Sequence, residues 1–252
     1  MERLDKLLAN TGRWSRREVR ELVKKGRVTV DGAVVKAFDA KYPPEAAIAV
    51  NGECLTHSQA TYIMLHKPAG VLSATEDHQQ TTVLDLLPEH LQRLGLFPVG
   101  RLDKDTEGLL LLTDDGPLAH ELLSPKKHVD KVYFVRVEGI LDGSDAEAFA
   151  AGMVLGDGLV CQPAGLEVLA PANTGLVTLR EGKFHQVKRM LAARGKPVLY
   201  LKRLSMGGLC LDPDLAPGAW RSLTKEEIDL LWSKSTKNYR KYLKNDGTGF
   251  IM

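Results

Sequence analysis

A run of four leucines, residues 109–112, is the part of the sequence that most restricts the fold. Gly108 precedes the run, and the turn-forming letters TDDG follow it at residues 113–116. A short apolar run between such residues is typical of a strand that is buried on both faces of a sheet. Acidic side chains alternate just before this strand, at Asp103, Asp105 and Glu107. We therefore predict a buried strand with a carboxylate-bearing loop at its beginning.

The sequence of this acidic loop is similar to the motif of a calcium-binding loop. Its acids and its glycine fall at the required positions of that motif, at Asp103, Asp105, Glu107, Gly108 and Asp114. A calcium loop also needs a long bidentate carboxylate at its end and a helix on each side. Here the last position is the shorter aspartate, and a proline and a glycine within residues 96–100 interrupt any preceding helix. We therefore expect no metal site.

The same loop can instead hold a nucleophile at Asp103. A carboxylate stays ionised in a partly dry site when a cation lies close to it, and it can then attack a substrate covalently. Arg101 and the later segment EGKFHQVKRM, residues 181–190, provide candidate cations. For Asp105 and Glu107, a solvated turn is a sufficient explanation.

Charge is unevenly distributed along the chain, although the net charge is only +2. Residues 1–27 contain nine Lys and Arg against four acidic residues, residues 183–203 contain seven against none, and residues 234–252 contain five against one. The remaining residues are strongly acidic in balance. Clustered cations on an acidic body favour a polyanionic partner, because phosphate contacts need local charge rather than a high total.

Composition places the chain among globular proteins, with 44% apolar and 26% charged residues. No apolar stretch reaches the length of a membrane span, and the charged N-terminus lacks the apolar core of a signal peptide. The odd number of cysteines, at Cys54, Cys161 and Cys210, is typical of reduced thiols rather than of a disulfide framework. We expect a cytoplasmic monomer without a membrane partner.

Residues 1–58 are predicted to form a small module. A short helix precedes a second helix that begins at a capping box, Ser15 with Glu18, and ends near Gly26. Two short strands then flank the tight turn Asp31-Gly32. The segment RLDKLLANTGRWSRREVRELVKKGRVTVDG resembles the S-four-like RNA-binding domain, in which the two helices and the following turn hold structured RNA. The candidate RNA-binding residues here are Arg3, Lys6, Ser15, Arg16, Arg17, Arg20, Lys24, Lys25 and Arg27.

Residues 59–233 are predicted to form the second domain, and residues 234–252 a basic C-terminal tail. Strands are predicted at 62–65, 71–72, 109–112, 132–137 and 176–179, and helices at 117–123, 144–151, 185–194 and 224–232. Strands outnumber helices and follow one another without regular alternation. The predicted fold class is therefore α+β, with a mixed, mainly antiparallel sheet in the larger domain.

Three ordered motifs of this second domain resemble the pseudouridine synthases of the RsuA type. They are YIMLHKPAGVLSATED, GRLDKDTEGLLLLTDDG and EGKFHQVKRM, and together with the N-terminal module they cover most of the chain. The resemblance implies that Asp103 is the catalytic nucleophile and that Tyr133, in KVYFV, packs against the target base. It also implies that Lys188, where related subfamilies carry arginine, pairs with Asp103.

The resemblance implies further RNA contacts in the larger domain. Arg101 is expected to hold the flipped-out nucleotide, and Lys67 lies at a turn that the family places near RNA. Arg203, in LKRLSMGG, matches a motif near the active cleft, and Arg189 is a second cation next to Lys188. His185 is expected to be structural, because the family does not use it as a catalytic base.

The implied reaction breaks the bond from ribose to the uracil nitrogen, rotates the ring and rejoins it through carbon 5. It needs no cofactor, and the sequence contains no phosphate-binding glycine loop or metal-ligand cluster. The uridine must first be flipped out of the RNA. Segments such as LLSPKKHVDKVY resemble the enzymes that modify small-subunit (16S) rRNA. The expected partner is therefore structured rRNA, either free or in a ribosomal assembly intermediate. A non-catalytic ribosome-assembly factor and a large-subunit rRNA enzyme remain alternatives, and attack by Asp103 on the sugar or on the base stays open.

Overall fold

The structure is a computed structural model that describes residues 1–9, 11, 13–43, 46–55, 60–124 and 127–233. The predicted basic tail, 234–252, and the predicted boundary between residues 58 and 59 lie outside the described residues. The chain divides into two compact units. One contains Met1–Thr61 and Leu87–Phe97, and the other contains Tyr62–Leu86 and the chain from Pro98. No helix in the described part of the chain is long and apolar enough to cross a membrane.

Short elements make up the first 61 residues. In chain order they are β1 (Glu2–Arg3), α1 (Leu4–Ala9), α2 (Arg16–Lys24), β2 (Val28–Val30), β3 (Ala33–Val34), β4 (Lys41–Tyr42), β5 (Ile48–Val50) and β6 (Glu53–Leu55). From Tyr62 the elements are β7 (Tyr62–Lys67), α3 (Glu89–Gln92), β8 (Phe97–Pro98), β9 (Glu107–Thr113), α4 (Gly116–Leu123), β10 (Lys131–Val137), α5 (Gly143–Ala151), β11 (Met153–Val154), β12 (Val160–Cys161), β13 (Gly165–Val168), β14 (Thr174–Leu179), α6 (Gln186–Ala193), β15 (Val198–Met206), β16 (Leu209–Cys210), β17 (Trp220–Ser222) and α7 (Lys225–Leu230).

Helix α2 begins and ends as its sequence predicts. The side chain of Ser15 accepts a hydrogen bond from the Glu18 amide, and the Glu18 carboxylate accepts one from the Ser15 amide, so the capping box is confirmed. At the other end Gly26 adopts a positive φ of 65°, which lets the Arg27 amide reach the Leu22 carbonyl at 3.0 Å. The apolar face of α2 packs into a core formed with α1 and the strands that follow.

The β2–β3 hairpin turns at Asp31 and Gly32, whose φ angles of 50° and 82° match the turn expected for an Asp-Gly pair. Strand β2 also pairs with β5, and the resulting sheet has the order β3-β2-β5-β6. Its inward-facing residues, such as Val28 and Ile48, are buried. The first unit is therefore a helix pair packed on a small antiparallel sheet.

In the described part of the second unit, the main sheet follows the order β13-β14-β10-β15-β9-β7-β17. All neighbours on this path are antiparallel except β15 and β9, which run parallel. The predicted α+β class with a mixed, mainly antiparallel sheet is confirmed. Strand β9 contains the four leucines, and each of them is buried.

The sequence prediction is wrong at several elements, including two in the second unit. At residues 71–72 no strand forms, and Leu72 makes a single bridge to Thr82. The longest strand, β15, was not predicted, although it lies at the centre of the sheet. Its letters LKRLS look polar, but pairing with β10 on one side and β9 on the other buries Lys202 and Arg203.

Gly108 allows β9 to approach β15. We expect the Gly108→Ala variant to unfold at a markedly lower temperature than the wild type. The residue has a φ of +106°, and a Cβ atom there would lie 2.2 Å from the Arg203 carbonyl oxygen. The backbone strain and the clash together should lower the free energy of unfolding by several kcal/mol, on the order of the largest effects of single substitutions. Thermal unfolding measures this change. Gly116→Ala is the matched control, since its Cβ would meet nothing within 4 Å, and an equal loss in both variants would contradict the prediction.

Candidate active site

A cleft of about 420 Å³, including the part open to solvent, lies in the second unit beside the loop that precedes β9. Several elements contribute to its wall: the loop of Asp103, strand β10 through Tyr133, β15 through Leu201, and residues 182, 183 and 185–188 around the start of α6. The cleft therefore brings together residues that are far apart in the sequence.

Asp103 and Lys188 form an ion pair in this cleft. Lys188 Nζ lies 2.9 Å from Asp103 Oδ2 and 2.5 Å from Asp105 Oδ1. The side chains of Asp103 and Lys188 are 24% and 22% exposed, so the pair is partly dry, whereas Asp105 is 75% exposed. His185 Nε2 also approaches Asp103 Oδ1, at 3.5 Å. One carboxylate thus faces the cleft with a fixed cation beside it.

The acids keep Lys188 charged. Burial alone lowers the pKa of Lys188, but its hydrogen bonds to Asp105 and Asp103 outweigh burial and raise this pKa above the ordinary value. The hydrogen bond from Lys188 in turn lowers the pKa of Asp105. A lysine that carries its charge at neutral pH favours the ionised form of the carboxylate it touches.

The beginning of α6 aims Lys188 into the cleft. His185 takes a left-handed conformation, with a φ of 50°, directly before the helix. Val187, Met190 and Leu191 form the buried face of α6, which turns Lys188 toward the acidic loop. Gln186 is buried; its Nε2 donates to Glu181 Oε1 at 2.6 Å and its Oε1 accepts from the Lys183 amide at 3.1 Å. The sequence analysis did not identify Glu181 and Gln186 as site residues. Their hydrogen bond depends on a loop conformation that no local sequence pattern predicts.

Tyr133 forms part of the cleft wall from the middle of β10. It pairs with Val177 of β14 on one side and with Arg203 of β15 on the other. The residue is largely buried and lines the cleft together with Asp103. A tyrosine ring held this way offers a flat apolar surface next to the carboxylate.

The structure corrects the prediction that Lys67 contacts RNA. Its side chain is fully buried, and Nζ donates to the carbonyl oxygens of Pro68, Lys104 and Thr106 at 2.9, 3.1 and 2.9 Å. Burial is the main cause that lowers the pKa of this amine, to about 8, against the opposing pull of nearby acids. Because two of the carbonyls lie just after Asp103, Lys67 holds the acidic loop in place rather than offering its charge to RNA.

The structure also corrects the prediction that Arg203 contacts RNA. This residue is buried and cannot offer a phosphate contact in this conformation. Its Nε donates to the Leu109 carbonyl at 2.7 Å, which ties β15 to β9. Arg101, by contrast, is exposed and lines the cleft. Arg189 points away from Asp103 and pairs with Asp157 at 2.5 Å. Of the two cations that follow His-Gln-Val, Lys188 is therefore the one that meets the acidic loop.

The candidate RNA-binding residues of the first unit are exposed. Arg16, Arg17, Arg20 and Lys24 lie on the solvent face of α2, and Lys25 and Arg27 follow it. Ser15 is exposed as well, but its hydroxyl caps α2. Arg3 and Lys6 are exposed and paired with Asp5 and Glu2. The first unit thus presents a mostly unburied cationic helix face.

A family model described as RNA pseudouridylate synthase matches residues 61–193, the segment that contains the acidic loop, Tyr133 and Lys188. The chain belongs to this family. Members of the RNA pseudouridylate synthase family catalyse the isomerisation of uridine in RNA to pseudouridine. A second model, the S4 domain, matches residues 2–38 and confirms the predicted N-terminal module.

Similar proteins match this synthase over nearly its whole length. It is 50% identical to the uncharacterized RNA pseudouridine synthase YtzG of Bacillus subtilis, over 91% of this chain and 98% of that protein. It is 46% identical to the ribosomal small subunit pseudouridine synthase A of Pseudomonas aeruginosa, over 90% and 98%. A crystal structure of a pseudouridylate synthase superposes with a TM-score of 0.65 at 36% identity, covering 92% of this chain and all of that one.

Proposed function

We propose that this pseudouridine synthase isomerises a uridine of small-subunit rRNA and that Asp103 is its nucleophile. The observation that carries the proposal is the Asp103–Lys188 ion pair, which stands in a partly dry cleft with Tyr133 in its wall. The similarity to the Pseudomonas aeruginosa small-subunit enzyme supports the choice of rRNA. We further propose that the protein acts in the cytoplasm as a monomer, on structured rRNA or on a ribosomal assembly intermediate.

The residues divide the chemical work. Asp103 attacks the nucleotide, the Lys188 ammonium holds the Asp103 carboxylate in the cleft, and the Tyr133 ring supports the uracil while it turns from nitrogen to carbon linkage. The proton on carbon 5 leaves as the ring nitrogen gains one, so atoms and electrons balance without an external reactant. Arg101, exposed at the same cleft, is placed to contact the flipped nucleotide. Extruding that nucleotide costs a few kcal/mol, which contacts of this kind must offset.

We propose a matching division between domains. Residues 1–58 bind structured RNA through the cations of α2, residues 59–233 carry out the reaction, and residues 234–252 add a basic tail. The exposure of the α2 arginines supports the first role, since phosphate groups can reach them without rearrangement.

Mapping pseudouridine in rRNA tests the proposed function. Total RNA from cells with and without the protein is treated with carbodiimide, and stops of reverse transcription are compared. One small-subunit stop should disappear without the protein and return when purified protein is added to the transcript or to ribosomal precursors. A lost stop in large-subunit rRNA would overturn the choice of substrate, and no lost stop would favour a non-catalytic assembly factor.

RNA affinity should fall steeply with salt if the α2 cations bind phosphates. Replacing Arg16 and Arg17 by alanine should reduce the slope of log affinity against log salt by about 1 to 2, because each lost phosphate contact removes about 0.7 to 0.9 from it. Titrations at several salt concentrations measure the slope. Lys225→Ala, an exposed lysine outside the three basic segments, is the control and should leave the slope unchanged. Equal slopes in all variants would argue against this RNA-binding face.

A further inference from the structure

Phe184 is an exposed aromatic side chain beside the active cleft, with 72% of its surface accessible. Its ring stacks on the His185 ring, with centroids 3.8 Å apart and planes 19° from parallel. His185 lines the cleft and lies 3.5 Å from Asp103 through its Nε2 atom. The two rings therefore stack face to face next to the carboxylate, and Phe184, the more exposed of the two, leaves its outer face open to solvent.

Hydrogen bonds hold this surface in place on both sides of the rings. The Lys183 amide donates to Gln186 Oε1, and Gln186 Nε2 donates to Glu181 Oε1. Glu181 is buried and also accepts from the Gln162 amide at 2.9 Å. Because the loop is anchored before and after Phe184, the ring can bind a ligand at little cost in conformational entropy.

A single exposed hydrophobic residue is ordinary and has no meaning by itself. Here the ring belongs to the segment just before α6, beside the cleft that Asp103 and Lys188 line. Lys183 is its neighbour in the chain, and Arg101, which is exposed, lines that cleft. A flat aromatic surface among cations matches the chemistry of unpaired nucleic acid, whose bases stack while its phosphates are neutralised.

We infer that Phe184, supported by His185, is a stacking platform for the nucleobase next to the target uridine. Flipping the uridine removes the stacking partner of its neighbour, and the phenyl ring replaces that partner. This inference rests on the proposed function for the identity of the ligand as RNA. It goes beyond the proposed function by assigning a contact to a nucleotide that does not react.

Fluorescence of 2-aminopurine tests the platform. The probes are two copies of a short RNA with a single central uridine, each with 2-aminopurine at one of the two flanking positions. Wild-type protein should quench one probe, because 2-aminopurine loses fluorescence when it stacks. Phe184→Ala should abolish most of that quenching and weaken binding by about 5- to 150-fold, the range for loss of one base–aromatic stack. Phe184→Trp should restore both, since a larger ring keeps the stacking surface.

Ile140→Ala is the matched control, because Ile140 is similarly exposed but neither it nor its chain neighbours line the cleft. It should quench and bind like the wild type. Unchanged quenching in Phe184→Ala, or no quenching of either probe by the wild type, would overturn the inference. Pseudouridine formation by the wild type, measured on its mapped rRNA site, reports separately on the proposed function. A protein that quenches the probe but forms no pseudouridine would leave the platform standing and refute the proposed reaction.

Discussion

Asp103→Asn is expected to abolish pseudouridine formation, with turnover reduced at least about 10⁴-fold, while RNA binding stays close to that of the wild type. The amide has the shape of the carboxylate but neither its charge nor its nucleophilicity. Lys188 retains its second partner, Asp105, at 2.5 Å, so the loss of charge at Asp103 leaves no cation unpaired. The fold should therefore survive, and the loss should appear in the chemical step alone.

Single-turnover assays and RNA-binding titrations on the same preparations separate these effects. Asp105→Asn is the matched control, because it removes a carboxylate from the same lysine but from an exposed position. Its activity should stay within about tenfold of the wild type, since a solvent-exposed ion pair contributes little. If Asp103→Asn turned over normally, or if Asp105→Asn were the inactive variant, the nucleophile would have to be reassigned.

Lys188→Met is expected to lower turnover by about 100-fold, a loss of roughly 2.7 kcal/mol in stabilisation of the reacting state. Methionine keeps the length and apolar stem of lysine but removes the charge that lies 2.9 Å from Asp103. Without that cation the Asp103 carboxylate loses its nearest fixed partner in the cleft, so it is held less firmly for attack. Single-turnover assays of the Lys188→Met variant and of the wild type measure the deficit.

Two further variants make the test of Lys188 specific. Lys188→Arg should recover most of the activity, since it restores the positive charge in the same direction from α6. Arg189→Met should change turnover little, because Arg189 pairs with Asp157 rather than with Asp103. Normal activity in Lys188→Met together with a large loss in Arg189→Met would show that the wrong cation had been assigned.

Local chemistry made the first unit and the strand of leucines predictable. The Ser15–Glu18 capping box and the Asp31-Gly32 turn are formed by residues that are neighbours in the chain, so their letters suffice. The four leucines of β9 are buried whatever lies beside them, because an apolar run this short has no other stable place. Helices α4 and α5 were also predictable, since each begins within one residue of its predicted start.

Contacts between distant parts of the chain explain why β15 was not predicted and why the predicted role of Lys67 was wrong. A strand that contains lysine and arginine looks exposed until a neighbour on each side buries it and accepts its hydrogen bonds. Lys67 looked like a free cation at a turn, but its partners are carbonyls at residues 104 and 106, which lie far along the chain. Burial of a charged group depends on acceptors that the fold supplies, and no sequence window contains them.

By itself, the sequence determined the two kinds of domain, the buried strand and the acidic loop before it, together with the identity of a motif that contains Asp103. The tertiary structure shows the contact between Lys188 and that carboxylate which the resemblance implied. Only the tertiary structure decided that Lys67 and Arg203 are internal supports. The physical reason is that residue type fixes which interactions a side chain can make. Which of them it does make depends on partners far along the chain, as in the pair of Asp103 and Lys188.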